Sequence, residues 1–146
     1  MNIYKKLHNI THELKSLEQE RSKGVPYPII SFNEVNSKLR GLLEKHGILI
    51  IPNVIDHTKE NNLTVVKMNA DIIDIDNPNS RITVGNYIGY GVDNSDKGIG
   101  KAISYANKYI LMKLFMMNIG ADEESEHANP QIQQTKLGKK ESENDI

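Results

Sequence analysis

The sequence contains no cysteine and no tryptophan, and it has no run of the roughly 20 apolar residues that a membrane-spanning helix needs. Without cysteine the chain can form no disulfide bond and no thiolate metal site. Its N-terminus also lacks an apolar run of signal-peptide length. These absences favour a soluble intracellular protein. A chain of 146 residues has room for one domain whose core needs no cross-link.

Charge is nearly balanced over the whole chain but uneven along it. The formal net charge is −1. Residues 121–146 carry seven acidic and three basic side chains, a net charge of −4, which leaves +3 for residues 1–120. The end of the chain is also polar and interrupted by proline, a composition that rarely supports a packed core. We therefore predict one domain over residues 1–120 and a disordered acidic tail over residues 121–146.

Two amphipathic helices are predicted ahead of any strand. Apolar residues recur every three or four positions across residues 2–20, which is the helical period. Glycine and prolines at residues 24–28 interrupt that pattern. The second helix is expected to begin after Ser31, an N-cap with Glu34 three residues on, and to end at Gly47.

Three apolar, β-branched runs follow, at residues 47–55, 62–76 and 81–93, and they are separated by polar turns. Because the connections are short, a three-stranded antiparallel meander is the simplest arrangement. Helices packed on one face of this sheet would give an α+β domain with the element order α-α-β-β-β-α.

Regular alternation would divide the third run between two faces of the sheet. One face would carry the apolar side chains Ile82, Val84, Ile88, Tyr90 and Val92. The other face would carry Arg81, Thr83 and Tyr87 together with three glycines, and it would be left for solvent or for a partner.

A long helix is predicted from about Asp96 to Asn118, with Ser95 as its N-cap. At about 100° per residue, its apolar side chains share one arc, which predicts the core face. That face comprises Ile99, Ile103, Ala106, Ile110, Leu114 and Met117. The opposite side carries Lys97, Lys101, Ser104 and Lys108, with Tyr105 beside them. This pattern suits a phosphate backbone, but on the pattern alone the solvated face of an ordinary amphipathic helix is the favoured interpretation.

The Gly-x-Gly-Lys at Gly98–Lys101 does not make a nucleotide-binding loop. A phosphate loop needs G-x-x-x-x-G-K-[ST], and here Ser95 and Ala102 stand where the first glycine and the hydroxyl residue belong. A G-x-G-x-x-G loop fails as well, because Ile103 replaces the third glycine. The two glycines are better explained by close approach of another backbone or of a nucleic-acid strand.

The segment GYGVDNSDKGIGKAISYANKYILMKLF, residues 89–115, resembles the signature of the ERF (essential recombination function) family of phage single-strand annealing proteins. The order of the segments before it is also similar to the family, and the resemblance covers about residues 2–124. The matching positions are Asp96, Lys97, Gly100, Lys101, Ala102, Ile103, Ser104, Tyr105, Ala106, Lys108, Tyr109 and Phe115. One departure is Asn107, which stands where the family has the first residue of a basic pair.

The resemblance implies a β-β-β-α core and ATP-independent binding and annealing of complementary single-stranded DNA, in phage or prophage homologous recombination and DNA repair. It implies no bond-making chemistry and no cofactor, and a homo-oligomer in the form of a ring or filament. The expected location is the cytoplasm of a bacterial host, without membrane association. A host single-strand DNA-binding protein is a candidate partner of the acidic tail. The candidate DNA-binding residues are Lys97, Lys101, Ser104, Tyr105, Lys108, Arg81 and Tyr87.

Two other functions remain open on the sequence. Asp71, Asp74 and Asp76 could hold magnesium in a metal-dependent nuclease, although carboxylates that solubilise a turn are the more economical interpretation. Asp74 and Asp76 would share a strand face that Asp71 does not. A regulatory or scaffold protein of the same fold is the second alternative. His8 and His12 lie one helical turn apart without a third ligand, which indicates surface histidines.

Overall fold

A computed structural model describes residues 1–22 and 31–117, and in these residues the chain forms three helices and a three-stranded sheet. The element order α-α-β-β-β-α and the α+β class confirm the prediction. The tail at residues 121–146 and the glycine- and proline-rich segment lie outside the described residues. The helices are α1 (Ile3–Ser22), α2 (Phe32–His46) and α3 (Gly98–Leu114), and the strands are β1 (Ile48–Glu60), β2 (Leu63–Asp74) and β3 (Asn77–Val92).

Within the described ranges, no helix is both long and apolar enough to cross a membrane.

Both predicted caps of α2 are present. The Ser31 side chain accepts a hydrogen bond of 3.1 Å from the backbone N–H of Glu34. At the other end, Gly47 adopts the left-handed conformation with φ of 67°, and its N–H donates to the carbonyl of Glu44. Glycine is suited to this position because a Cβ atom would strain a left-handed backbone.

The sheet has the order β1-β2-β3, and both neighbouring pairs are antiparallel. Glu60 pairs with Leu63, so a two-residue turn closes the first hairpin. Asn61 in this turn has a positive φ of 56°, which asparagine tolerates better than most residues. The predicted end of the first strand at residue 55 is therefore wrong, because β1 continues through five more residues that the sequence assigns to a turn.

Between Val84 and Tyr87, β3 contains one residue more than the matching part of β2. Met68 pairs with Tyr87 and Ala70 pairs with Val84, so Gly85 and Asn86 together lie opposite Asn69. Such a β-bulge shifts the alternation by one residue. Ile82 and Val84 before the bulge and Tyr87, Gly89 and Gly91 after it all face the helices.

The bulge overturns the predicted faces of β3. Ile88, Tyr90 and Val92 do not point into the core; they are 47%, 56% and 49% exposed on the face of the sheet that the helices leave open. Arg81 and Thr83 lie on this open face as predicted. Tyr87 lies on the opposite face, where it packs against the residues beneath α3.

The core has two parts, both between the sheet and the helices. The first joins α1, α2 and the end of α3 to the sheet and includes Ile10, Leu39 and Ile72, each fully buried. The second lies beneath the first half of α3, where Val66 and Met68 of β2 contact the helix.

A buried ion pair ties α1 to the end of β2. The Lys6 ammonium donates to Asp74 at 2.7 Å and to Asp76 at 2.6 Å. Lys6 is 8% exposed and Asp74 2%. The charged forms stabilise each other, so hydrogen bonding to both carboxylates raises the pKa of Lys6, and hydrogen bonding from Lys6 lowers the pKa of Asp74.

Candidate nucleic-acid interface

α3 lies against β3 through small residues on both elements. A Cβ atom on Gly89 would meet the carbonyl oxygen of Ala102 and lie 2.8 Å from the Cβ of Ala106. A Cβ atom on Gly91 would meet the carbonyl oxygen of Gly98. A Cβ atom on Gly98 would lie 2.7 Å from the Thr64 hydroxyl of β2, so the expected close approach is confirmed for Gly98. The same expectation is wrong for Gly100, which has open space where a Cβ atom would be placed.

This contact rotates the helix away from the predicted orientation. The buried row is Gly98, Ala102, Ala106 and Ile110, whereas Ile99, expected in the core, is 37% exposed. A hydropathy pattern assigns the core face to the large apolar residues. Here the backbone of α3 lies so close to Gly89 and Gly91 of β3 that glycine and alanine occupy the contact.

The predicted start of α3 is also wrong. The helix begins at Gly98 with Lys97 in the N-cap position, and the Lys97 side chain makes no capping hydrogen bond. Ser95 instead belongs to the turn before the helix. Its backbone N–H donates to Asp93 at 2.7 Å, and its hydroxyl donates to the same carboxylate oxygen. The predicted far end at Asn118 lies outside the described residues, and the helix ends at Leu114.

Lys101 is held above this turn. Its ammonium donates to Asp93 at 2.7 Å and to the carbonyl oxygen of Val92 at 3.3 Å. Hydrogen bonds from Lys101 and then from Ser95 lower the pKa of Asp93. The Lys101 side chain remains 55% exposed, so an incoming anion can reach the ammonium, although it would compete with Asp93 for it.

The predicted basic face of α3 is divided by the fold. Lys97, Lys101 and Ser104 are exposed in the first half of the helix. Lys108 is half-buried, and its Nζ lies 5.5 Å from the ring centroid of Phe32 at the start of α2. The three exposed residues can therefore face a polyanion together, while Lys108 is partly covered by its aromatic neighbour.

Tyr105 forms a pair with Tyr109, which is not among the site residues predicted from sequence. Their ring centroids are 4.7 Å apart in a T-shaped arrangement, and their hydroxyl oxygens are 2.9 Å apart. The Nζ of Lys113 lies 6.0 Å from the ring centroid of Tyr109. The four-residue spacing from Lys101 through Lys113 is the sequence signal for this arrangement, because residues four apart adjoin on a helix.

Arg81 and Tyr87 are not brought together with the basic face of α3. Arg81 is exposed on the open face of the sheet, on the side away from α3. Tyr87 is half-buried on the helix side and packs against the core beneath α3. A single strand of DNA on the exposed surface of α3 would not reach Arg81 without passing around the sheet.

The acidic residues proposed for a nuclease have other partners. Asp74 and Asp76 bind the Lys6 ammonium, so a cation of the protein already occupies the space between them. Asp71 lies on the open face, where it accepts hydrogen bonds from Thr83 at 2.6 Å and from Asn53 at 3.3 Å. Those two hydrogen bonds, Thr83 first, lower the pKa of Asp71.

Among the described residues, no group of three or more histidine, aspartate or glutamate side chains is placed to hold a metal ion. The predicted separation of Asp71 from the other two aspartates is confirmed. The interpretation of all three as solubilising carboxylates is wrong for Asp74, which is buried in the ion pair with Lys6.

A family model described as the ERF superfamily matches residues 3–146. The chain belongs to the ERF superfamily. Membership confirms the resemblance found in residues 89–115 and associates the chain with phage recombination and single-strand annealing proteins. No significant match was found among curated proteins or among solved structures. The α3 segment that carries the family signature is thus the same segment that presents the exposed lysines.

Proposed function

We propose that this ERF superfamily member binds single-stranded DNA without sequence preference and anneals complementary strands without ATP, in phage or prophage homologous recombination. The observation that carries the proposal is the family match over residues 3–146 together with the exposed lysines at the start of α3. Annealing requires no bond to form or break in the protein or the DNA backbone, so the proposed role is not enzymatic.

Lysines suit this role because phosphate repulsion opposes the meeting of two strands. An ammonium group lowers that repulsion and leaves the base edges available for pairing. Lys97, Lys101 and Ser104 are the exposed phosphate contacts in this proposal, with Tyr105 beside them. DNA contact stays a prediction for the other three candidate residues. Lys108 and Tyr87 are half-buried, and Arg81 is exposed on the opposite face of the sheet.

Assembly and location form part of the same proposal. We expect a homo-oligomer, as a ring or filament, to align several copies of α3 along one strand in the cytoplasm of a bacterial host. Several weak contacts along one strand increase the total affinity through effective concentration. A host single-strand DNA-binding protein is the proposed partner of the acidic residues 121–146.

The test is a strand-annealing assay with two complementary labelled oligonucleotides and no nucleotide. The variant Lys97→Gln/Lys101→Gln should anneal at least tenfold more slowly than the wild type. Lys5→Gln/Lys38→Gln removes the same charge from exposed positions on α1 and α2 and is the matched control. It should anneal at close to the wild-type rate.

Three results would count against the proposal. An equal loss of annealing rate in both double variants would show a general effect of charge, with no specific site on α3. Unchanged annealing in Lys97→Gln/Lys101→Gln would remove the site assignment. A wild-type protein that neither binds nor anneals single strands at low salt would contradict the function itself and favour a scaffold role.

A further inference from the structure

One row of side chains along α3 combines lysines with tyrosines in a regular pattern. Residues four apart on a helix advance by about 40° and form a continuous ridge. The ridge consists of Lys97, Lys101, Tyr105, Tyr109 and Lys113, and we call it the tyrosine ridge. With a rise of about 1.5 Å per residue, it is about 24 Å long.

The tyrosine ridge lies directly beside the buried row of α3. Each of its first four members precedes by one residue a member of the buried row, Gly98, Ala102, Ala106 and Ile110. Because the glycines of β3 fix that buried row, they also fix the direction of the ridge. The direction of each side chain relative to the sheet is therefore fixed, and it turns by about 40° from one member of the ridge to the next.

Contacts within the ridge join its aromatic and basic parts. The Tyr105 and Tyr109 rings are in T-shaped contact with centroids 4.7 Å apart. Lys113 is exposed, and its Nζ lies 6.0 Å from the Tyr109 ring centroid. Lys101 is exposed one turn before Tyr105. Two aromatic side chains in T-shaped contact are thus bounded by an exposed ammonium group at each end.

Lys108 differs from the ridge lysines although it lies on the same helix. It is half-buried, and its ammonium faces Phe32 of α2. Lys113 is five residues further along and exposed. The lysine that the family signature includes is therefore less accessible than one that it does not include.

We propose that the tyrosine ridge holds one strand of single-stranded DNA, with Tyr109 and Lys113 as two further binding residues. This inference rests on the proposed function. Bases stack on the tyrosine pair, and the phosphates on either side contact Lys101 and Lys113. Single strands fit this chemistry because their bases are free to stack on aromatic rings, whereas those of a duplex are already stacked on each other.

Binding at the ridge would be tolerant of sequence. Every base has a π-face that a tyrosine ring can contact, and an ammonium group contacts phosphate without reading the base. A strand on the ridge would compete with Asp93 for Lys101, because that ammonium already lies 2.7 Å from the carboxylate. Lys113 has no acidic partner among its contacts in the described residues, so it requires no such exchange.

The experiment compares two lysine variants on the same helix. Binding of a labelled oligo-dT to the full chain is measured by fluorescence anisotropy as a function of salt, for wild type, Lys113→Gln and Lys108→Gln. Both variants remove one positive charge. We expect Lys113→Gln to weaken binding several-fold and to lower the slope of log K against log salt by about 0.7. Lys108→Gln should change both quantities less.

Three tyrosine variants test the stacking part. Tyr109→Leu should weaken binding about 5- to 150-fold, as expected for loss of one base–aromatic contact. Tyr109→Phe keeps the ring and removes the hydroxyl, so it should retain most of the affinity. Tyr4→Leu alters an exposed tyrosine on α1, 65% exposed, and should have no effect.

Each outcome bears on a different statement. If the wild type binds but Lys108→Gln reduces the affinity for oligo-dT as much as Lys113→Gln or more, the assignment of DNA binding to the tyrosine ridge is wrong. The proposed function would then still stand. If Tyr109→Phe loses as much affinity for oligo-dT as Tyr109→Leu while its circular dichroism spectrum is unchanged, the tyrosine pair does not act by stacking. If the wild type does not bind at low salt, the proposed function and the ridge are both overturned.

Discussion

Lys6 illustrates how a single charged residue can fix the position of a helix. Its side chain is almost completely buried, and its ammonium binds Asp74, the last residue of β2, and Asp76 just after the strand. A buried charge without a partner is strongly disfavoured, so α1 cannot shift along the sheet without separating these groups. The sequence does not single out Lys6, because a lysine in an amphipathic helix is most often on the surface.

The first prediction concerns removal of this charge. Lys6→Met should lower the urea midpoint of unfolding clearly, because it leaves Asp74 buried with no cation. Lys5→Met alters the exposed neighbouring lysine and should leave the midpoint almost unchanged. Equal midpoints for the two variants would show that the ion pair contributes nothing to stability.

The same pair predicts a dependence on pH. The pKa of Asp74 is lowered in the folded protein, so its contribution to stability is present above the unfolded pKa of about 3.9. This contribution is lost as the pH falls through the lower, folded pKa. Lys6 has a raised pKa, so its contribution is present below the unfolded value of about 10.4 and is lost as the pH rises through the folded value. Lys6→Met should reduce the loss of stability between about pH 5 and pH 2, measured by urea unfolding at each pH.

Among the elements, α3 depends most on its neighbour for its orientation. Gly89 and Gly91 of β3 allow the backbone of the helix to come into contact with the backbone of the strand. Gly100 lies in the first turn of the same helix and has open space where a Cβ atom would be placed. These glycines therefore offer a matched test of close packing against simple backbone flexibility.

The second prediction is that Gly89→Ala and Gly100→Ala have opposite effects. Gly89→Ala should lower the free energy of unfolding by about 1–3 kcal/mol, since the added methyl group overlaps Ala102 and Ala106. Gly100→Ala should raise it by about 0.5–1 kcal/mol by restricting the unfolded chain. Both are measured by urea unfolding. A neutral Gly89→Ala would show that α3 can move away from β3 at no cost.

The sequence predicts the elements and their order better than it predicts which faces meet. Ser31 and Gly47 mark the ends of α2 because capping depends on residues adjacent in the chain. The faces of β3 are predicted correctly before the bulge and wrongly after it, because alternation assumes an unbroken ladder. In the buried row of α3, Ala106 and Ile110 are predicted correctly, but Gly98 and Ala102 are missed because their burial depends on residues of the sheet.

The candidate site is predicted in the same uneven way. The family signature locates α3 and its first exposed lysines correctly. It does not reveal that Phe32 of α2 covers Lys108, since that contact joins residues far apart in the sequence. Regular alternation along β3 also predicts Tyr87 on the same face as Arg81, and the bulge separates these two residues onto opposite faces of the sheet.

For the molecule as a whole, attraction of a polyanion depends more on the charge of one surface than on the net charge of the chain. The formal net charge is −1, yet several carboxylates of the described residues are paired internally, such as Asp74 with Lys6 and Asp93 with Lys101. On α3, Lys97 and Lys113 are exposed without a recorded ion pair in the described residues, whereas Lys101 is paired with Asp93 and remains 55% exposed. A chain that is nearly neutral overall can still attract a polyanion to one surface.

The third prediction follows from that arrangement. Affinity for single-stranded DNA should fall linearly on a log–log plot against salt, by about 0.7 for each phosphate contacted. Contacts from Lys97, Lys101 and Lys113 would give a slope of about −2 for one protomer. Oligo-dT and a mixed sequence of equal length should give the same slope in anisotropy titrations. An affinity that is independent of salt would contradict phosphate binding.

The additional residue in β3 also determines where the chain can change length. Gly85 and Asn86 share one partner on β2, so deletion of Asn86 would restore one-to-one pairing and leave Val84 and Tyr87 on their present face. Deletion of Ile88 would instead reverse every later side chain and bring Tyr90 against α3 in place of Gly89. Between Val84 and Val92, tolerance to deletion is therefore expected at the position where the strand already carries a residue in excess.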